Sequence, residues 1–413
     1  YEGKAEDVAV FGYRDHTKGY ERDFVNRAVT FYTDELYLRR DGKLVRIDKP
    51  DDANASAFRD LLLLQLRSDW TIGGRTHAAG SLLAADFEGY LAGKREFEVL
   101  FEPTERSTLS DFTPTLNHVI LNVLDNVRNR LYVLTRVDGK WQREPLPGMP
   151  EFGTVSVDAV DDEENDDYFL TLTDYVTPTS LLLGTVGKGA PEKLKQLPAF
   201  FDADGLVVTQ HEATSKDGTR IPYFQVARQD LALDGSNPTL LYGYGGFEVS
   251  MVPGYSGSVG SAWLEKGGVY VVANLRGGGE FGPKWHQAAL KANRHKAYED
   301  FAAIADDLVA RKITAPQHLG TMGGSNGGLL MGNMLTQYPE KFGAIVVQVP
   351  LLDMKRYSHL LAGASWMAEY GDPDTADWEF IKGFSPYHLF DAKKEYPATL
   401  FTTSTKDDRV HPA

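Results

Sequence analysis

Near Phe200 the chain changes its hydrophobic period, and that change restricts the possible folds more than any other feature. Upstream, from Val29 to about Thr209, short apolar runs alternate with turn signals. Leu36-Tyr37-Leu38 leads through Asp41-Gly42 to Leu44-Val45-Arg46-Ile47, and Asp-Gly between two such runs is a strong hairpin signal. Similar runs occupy 60–66, 81–85, 96–101, 118–123 and 130–136, followed by the turn Val137-Asp138-Gly139-Lys140 and by runs at 153–160, 168–173 and 180–186. Strands of this length and spacing predict an all-β domain, as a sandwich, a barrel or a propeller. Roughly twelve to sixteen strands would fill about three to four propeller blades. The run Asp161-Asp162-Glu163-Glu164-Asn165-Asp166-Asp167 is expected to be a solvated loop, because carboxylates this dense repel one another when buried.

Downstream, strands and helices alternate. Runs at 206–212 and 219–226 flank the turn Lys216-Asp217-Gly218, and Thr239-Leu240-Leu241-Tyr242 ends in Gly243-Tyr244-Gly245-Gly246. Residues 268–273 read as a strand. From 297 to 311, apolar residues at Phe301, Ile304, Ala305, Leu308 and Val309 follow the helical period. Strand, helix, strand and strand are then expected at 318–322, 328–337, 343–349 and 398–403. This order predicts a largely parallel sheet covered on both faces, with its chemistry at the carboxyl ends of the strands. The expected division is a β-rich domain over 1–204 and an α/β domain over 205–413.

Composition limits the partners. Lys plus Arg total 43 against 58 Asp plus Glu, a formal charge of −15, which argues against a broad nucleic-acid or anionic-membrane binder. No apolar run reaches membrane-spanning length and no signal peptide is visible at the start, so a soluble protein is expected, cytoplasmic or periplasmic, with no choice between the two. Cysteine is absent, which removes thiolate nucleophiles and cysteine metal sites. With no His-Glu-x-x-His either, no metal and no organic cofactor is expected.

The segment Met322-Gly323-Gly324-Ser325-Asn326-Gly327-Gly328 fits Gly-x-Ser-x-Gly between a predicted strand and a predicted helix. Such a turn holds a serine hydroxyl exposed, and its small neighbours leave room for the sharp bend. The following helix turns its N-terminus toward developing negative charge. The other reading is a glycine-rich spacer or a phosphate cradle, but the P-loop lysine is missing. Serine needs a base, and the chain order for this fold class is serine, acid, histidine. Asp407 and Asp408 follow the last predicted strand, where an acid should emerge. The only later histidine, His411, stands four residues from Asp407 on the same tight loop and is a poor base, so the base is expected beyond Ala413.

Four segments together resemble the prolyl oligopeptidase family of serine peptidases: Tyr242-Gly243-Tyr244-Gly245-Gly246-Phe247, Asn274-Leu275-Arg276-Gly277-Gly278-Gly279-Glu280-Phe281-Gly282, Gly323 to Gly328, and Asp407-Asp408-Arg409-Val410. The resemblance covers about 205 to 413. It implies an α/β-hydrolase fold there and part of a seven-bladed β-propeller upstream, at lower specificity. It also implies that an N-terminal segment, the early blades and a C-terminal tail with the catalytic histidine lie outside these 413 residues, which alone are expected to be inactive.

By this resemblance Ser325 matches the nucleophile and Asp407 the triad acid. The backbone N–H of Asn326 and the hydroxyl of Tyr244 match the oxyanion hole. Arg409 matches an arginine that binds a substrate carbonyl, Trp366 a tryptophan that stacks on the substrate proline, and Phe247 and Val410 other positions lining that pocket. The implied activity is hydrolysis of proline-containing oligopeptides on the carboxyl side of proline, through an acyl-enzyme. Two alternatives stay open: an esterase or other acyl hydrolase, since a serine alone does not tell ester from amide, and a non-catalytic propeller binding protein with a degenerate hydrolase domain. Arg276 and Glu280 are expected to lock their loop as ions, and Trp285, His286 and His295 to lie on a helix surface.

Overall fold

The computed structural model describes residues 3–148 and 153–412. They form two compact units. One comprises residues 1–172, 179–196 and 281–284; the other comprises 173–178, 197–280 and 285–413.

The first unit contains four four-stranded antiparallel sheets in sequence order. The first runs Ala9–Asp15, Arg22–Ala28, Asp34–Arg40 and Lys43–Arg46. The second is built from Asn54–Phe58, Leu61–Gln65, Leu82–Asp86 and Glu98–Phe101, with a small hairpin (Trp70–Ile72, Arg75–His77) and a short helix (Phe87–Leu91) inserted. Ser107–Pro114, His118–Asp125, Arg128–Val137 and Lys140–Pro145 make the third, and Thr154–Ala159, Asp167–Thr173, Ser180–Thr185 and Glu192–Gln196 the fourth. Both Asp-Gly turns close hairpins with positive φ at each central residue: 49° and 74° at Asp41-Gly42, 49° and 75° at Asp138-Gly139. That is the turn whose twist matches its flanking strands.

The leucine run at 61–64 shows how these sheets pack. Side chains alternate across a strand. Leu62 and Leu64 join Phe24, Leu36 and Leu38 of the first sheet in one core, whereas Leu61 and Leu63 join Leu109, Val119 and Leu121 of the third in another. A sheet apolar on both faces is therefore covered on both faces, as in stacked propeller blades. A third core lies between the third and fourth sheets, around Ile120, Val133, Tyr168 and Leu170. The acidic run forms the loop before Asp167–Thr173. Asp161 accepts the N–H groups of Glu163 and Glu164, and Asp166 accepts Thr115 Oγ1 and both the backbone and side-chain N–H of Asn117.

The second unit is built on one seven-stranded sheet in the order Leu206–Thr214, Arg220–Arg228, Val269–Ala273, Thr239–Tyr242, Leu319–Gly324, Ala344–Gln348, Ala398–Thr402. The first two strands form the antiparallel hairpin at Lys216-Asp217-Gly218; from Val269–Ala273 onward the strands run parallel. Helix His295–Ala310 buries the face carrying Phe301, Ile304, Ala305 and Leu308, and helix Asn326–Gln337 buries nearly all of its surface, with Leu329, Leu330 and Met334 in the same core. Among the described residues, no helix is long and apolar enough to cross a membrane.

The triple-glycine loop after Val269–Ala273 is anchored by two buried groups of different character. The Arg276 guanidinium pairs with fully buried Asp300 of helix His295–Ala310 (2.6 Å) and with Asp217 of the hairpin turn, and it also meets Ser215 and Thr219. Arg276 holds the Asp217 carboxyl well below the usual carboxylate range. It is a locking ion. Glu280 is not simply one. Its Oε1 accepts the N–H of Met251 (2.9 Å) and Asn274 Nδ2 (3.3 Å), but its Oε2 meets no hydrogen-bond partner among the described residues. Burial pushes this carboxyl up to about 7.

The folded chain binds a proton at Glu280 that the unfolded chain releases near 4.5, so the group's contribution is present in acid and declines as pH rises from about 4.5 through about 7. Relative to Glu280→Gln, the unmodified protein should lose on the order of 3 kcal/mol of stability across that window. Urea unfolding of both proteins at several pH values measures the difference; parallel curves would contradict the assignment.

Candidate active site

Ser325 occupies the turn between strand Leu319–Gly324 and helix Asn326–Gln337 with φ 58° and ψ −116°. A non-glycine residue there costs on the order of 1–3 kcal/mol and persists only where its surroundings impose it. The surroundings here are backbone. A Cβ on Gly323 would lie 2.5 Å from the Gly327 carbonyl oxygen and 2.9 Å from that of Gly243, and a Cβ on Gly327 would lie 2.6 Å from the Gly243 oxygen. The end of strand Thr239–Tyr242 thus presses directly on the turn. The Ser325 N–H donates to Gln348 O (3.0 Å), which fixes the turn from the other side. Ser325 makes no side-chain cap to its own helix, so its hydroxyl is left to point elsewhere.

The Tyr244 side chain lies near that hydroxyl, close enough for Ser325 to act on the Tyr244 pKa. Tyr244 is half-buried in the loop after strand Thr239–Tyr242. Burial raises its pKa; the charge of Arg409 and the nearby Ser325 side chain oppose the rise. Asn326 is the first residue of the helix, and the first N–H groups of a helix have no intrahelical acceptor. Ser325, Tyr244, Asn326 and the charge of Arg409 are therefore gathered at the carboxyl end of the sheet. Its parallel strands end in register there, since Val349 N–H donates to Thr402 O (2.7 Å) beside the Ser325–Gln348 bond.

Asp407 lies on the loop that follows Ala398–Thr402. Its Oδ1 accepts the N–H groups of Val410 (2.8 Å) and Arg409 (3.0 Å), which, in that order, hold its pKa below the ordinary carboxylate value, with a smaller contribution from the Arg409 charge. Arg409 is exposed and forms no ion pair with Asp408 among the described residues. His411 follows on the same loop.

The pocket candidates are more enclosed. Trp366, at the end of a 3₁₀ helix (Leu361–Trp366), is only 6% exposed and belongs to the main core, as does Val410. Phe247 is partly buried with φ 56°, packs edge-on against Tyr370 (5.6 Å between centroids), and donates its N–H to Glu369 (3.0 Å).

One assignment is corrected. His286 is not on a helix surface; it is fully buried, with Nε2 2.7 Å from Glu369 Oε2. Its neighbour Trp285 is half-buried and donates its indole N–H to Leu275 O, while His295 is exposed. Around Glu369 lies a cluster that sequence reasoning missed. Arg294, 1% exposed, donates to Glu369 Oε1 (2.7 Å) and to Asn326 Oδ1. Nothing in the composition of Asn293-Arg294-His295-Lys296 separates this buried arginine from its solvated neighbours. The one available signal was position, since Glu369 stands three residues after Trp366.

Residues 255–413 match the prolyl oligopeptidase family. Over its whole length the chain is 44% identical to an uncharacterised peptidase of Sinorhizobium fredii, covering 58% of that protein. It is 38% identical to a prolyl endopeptidase of Elizabethkingia meningoseptica, over 64% of this chain and 38% of that protein. The solved structure of a post-proline cleaving enzyme from Rickettsia typhi superposes with a TM-score of 0.92 at 36% identity, covering all of this chain and 61% of that one. The chain belongs to the prolyl oligopeptidase family. Its parallel sheet is the α/β-hydrolase part of that fold and its four stacked sheets are β-propeller blades. The chain spans about three fifths of the length of the first of these relatives.

The turn at Ser325 yields a direct test. Gly327→Ala places a methyl group against the Gly243 carbonyl. It is expected to cost about 1–3 kcal/mol, as overpacking does, and to slow phosphonate modification of Ser325 by moving the hydroxyl. Urea midpoints and labelling rates measure the two effects; a variant unchanged in both would show that the turn does not depend on this contact.

Proposed function

We propose that these residues are the nucleophile-bearing part of a serine peptidase that cleaves oligopeptides on the carboxyl side of proline through an acyl-enzyme. The carrying observation is Ser325, held at a positive-φ strand-to-helix turn with the Tyr244 side chain nearby and Asn326 opening the helix that follows. Relatives named prolyl endopeptidase and post-proline cleaving enzyme support the substrate class.

In this reading Ser325 Oγ attacks the scissile carbonyl carbon as its proton passes to an imidazole. The carbonyl π bond opens and the negative charge on oxygen is met by Tyr244 O–H and Asn326 N–H. The tetrahedral species collapses, the C–N bond breaks, and the imidazolium protonates the leaving amine. Water then attacks the ester with the imidazole again as base, freeing Ser325 and the acid product. Asp407, kept ionised by its two backbone donors, is suited to orient that imidazole. The imidazole is proposed to come from a histidine outside the 413 residues. The other assigned side chains hold the substrate: Arg409 binds a carbonyl near the cut, and Trp366, Phe247 and Val410 line the proline pocket.

The full-length protein should be labelled at Ser325 by a serine-reactive phosphonate, and Ser325→Ala should abolish both labelling and peptidase activity. Tyr244→Phe should lower kcat by about 10²–10³-fold with proline-containing amides, the loss typical of one oxyanion donor. Trp366→Ala should reduce the preference for proline over alanine before the cut while some ester hydrolysis persists. Labelling at another residue would refute the nucleophile, and unchanged proline preference would refute the pocket.

A further inference from the structure

Arg294, Glu369 and the side chain of Asn326 form a buried chain of contacts that ends on the backbone of Tyr244. Arg294 is 1% exposed, and Glu369, Asn326 and Tyr370 are fully buried. The Arg294 guanidinium donates from one nitrogen to Glu369 Oε1 (2.7 Å) and from another to Asn326 Oδ1. Asn326 Oδ1 also accepts Tyr370 O–H (2.7 Å), so the amide cannot flip without losing two donors. Its Nδ2 is thereby aimed at the Tyr244 carbonyl oxygen, 2.6 Å away. Gly246 closes over this arrangement: a Cβ there would lie 2.5 Å from Asn326 Nδ2 and 2.7 Å from the guanidinium. At the other end, Glu369 accepts the N–H of Phe247 and faces His286 Nε2.

One residue, Asn326, therefore opens the helix directly after Ser325 while its side chain holds the loop that carries the Tyr244 hydroxyl. We infer that Arg294 is a positioning residue for the oxyanion hole, acting through the Asn326 side chain to fix Tyr244 against Ser325. The inference rests on the peptidase reading of Tyr244 and Ser325, and it assigns to a buried ion pair a role that neither partner performs by touching substrate. A planar guanidinium suits it, because two parallel acceptors, a carboxylate and an amide oxygen, must be held at once. Lysine would keep the charge but lose the fork.

A double-mutant cycle in the full-length protein tests this, with kcat and KM read on a proline-containing amide. Tyr244→Phe alone reads the oxyanion assignment. Arg294→Met alone should lower kcat by about 10–100-fold with KM changed by no more than about threefold, since an interaction realised in the transition state is being loosened. Arg294→Lys should recover part of that loss. In the Tyr244→Phe background the Arg294→Met loss should shrink to about threefold or less, because the hydroxyl being positioned is no longer there. If Arg294→Met does not fold, Arg294→Met with Glu369→Gln removes both charges of the pair and enters the cycle in its place. Equal losses in the two backgrounds would overturn the positioning role while leaving the peptidase reading intact. A Tyr244→Phe protein with unchanged kcat would overturn both.

Discussion

The close approach of three backbone segments around the Gly243 carbonyl is the constraint on which the site depends. That oxygen sits where a Cβ on either Gly323 or Gly327 would collide with it. Without side chains at those two positions, strand Thr239–Tyr242 can run beside Leu319–Gly324 to its very end, and the chain can reverse into helix Asn326–Gln337 within one residue. That residue is Ser325, and its φ of 58° is the cost of the reversal. The same approach carries the loop containing Tyr244 up to the turn, so the contact that forces the serine outward also brings Tyr244 beside it. Fold and site share one packing decision.

Charge is then used in two different ways beneath that decision. Arg276 with Asp300 and Asp217 ties a loop to a helix and a hairpin, and Arg294 with Glu369 ties the first residue of helix Asn326–Gln337 to the segment around Phe247. Buried pairs of this kind are weak evidence for net stability, because desolvation offsets much of their attraction. What they provide is geometry. A guanidinium with two satisfied acceptors leaves its neighbours few alternative arrangements, and both pairs stand next to glycine-rich loops that otherwise have little side chain with which to define themselves.

Much of the architecture was legible in the sequence where side-chain periodicity reports burial directly. The apolar run at 61–64, the Asp-Gly turns, the 3.6-residue pattern from 297 to 311 and the short apolar strands at 239–242 and 268–273 each correspond to an element whose pattern is set by what covers it. Legibility failed where exposure breaks that link. Glu192–Gln196 is a strand whose five residues are all exposed, and with Leu194 alone among charged and polar neighbours it carries almost no apolar signal. The helix Asn326–Gln337 began two residues before its pattern did, because Asn326 and Gly327 are buried for reasons other than hydrophobicity. The turn itself could be read because its glycines and serine are a local pattern. The Arg294 cluster could not be, since its members come from 286, 294, 326 and 369–370 and meet only in three dimensions.

This difference bears on how the site is organised. The motifs that a sequence displays are those in which neighbours along the chain cooperate: a glycine beside a serine, an aspartate beside the N–H groups that hold it ionised. Ser325 and Asp407 both show such a local motif, but only Asp407 is fixed largely by its own loop; the Ser325 turn is also pressed by Gly243 O and held by Gln348 O. Tyr244 is different. Its loop is glycine-rich and would leave the ring loosely defined. The restraint on its backbone arrives from Asn326, which is in turn held by Arg294 and Tyr370. In the proposed mechanism the oxyanion arm thus depends on buried side-chain contacts, whereas the proposed nucleophile depends on the backbone packing of adjacent strands. A disturbance of the buried cluster should leave the Ser325 turn in place and displace Tyr244, so in the proposed mechanism nucleophile geometry and transition-state stabilisation are separable.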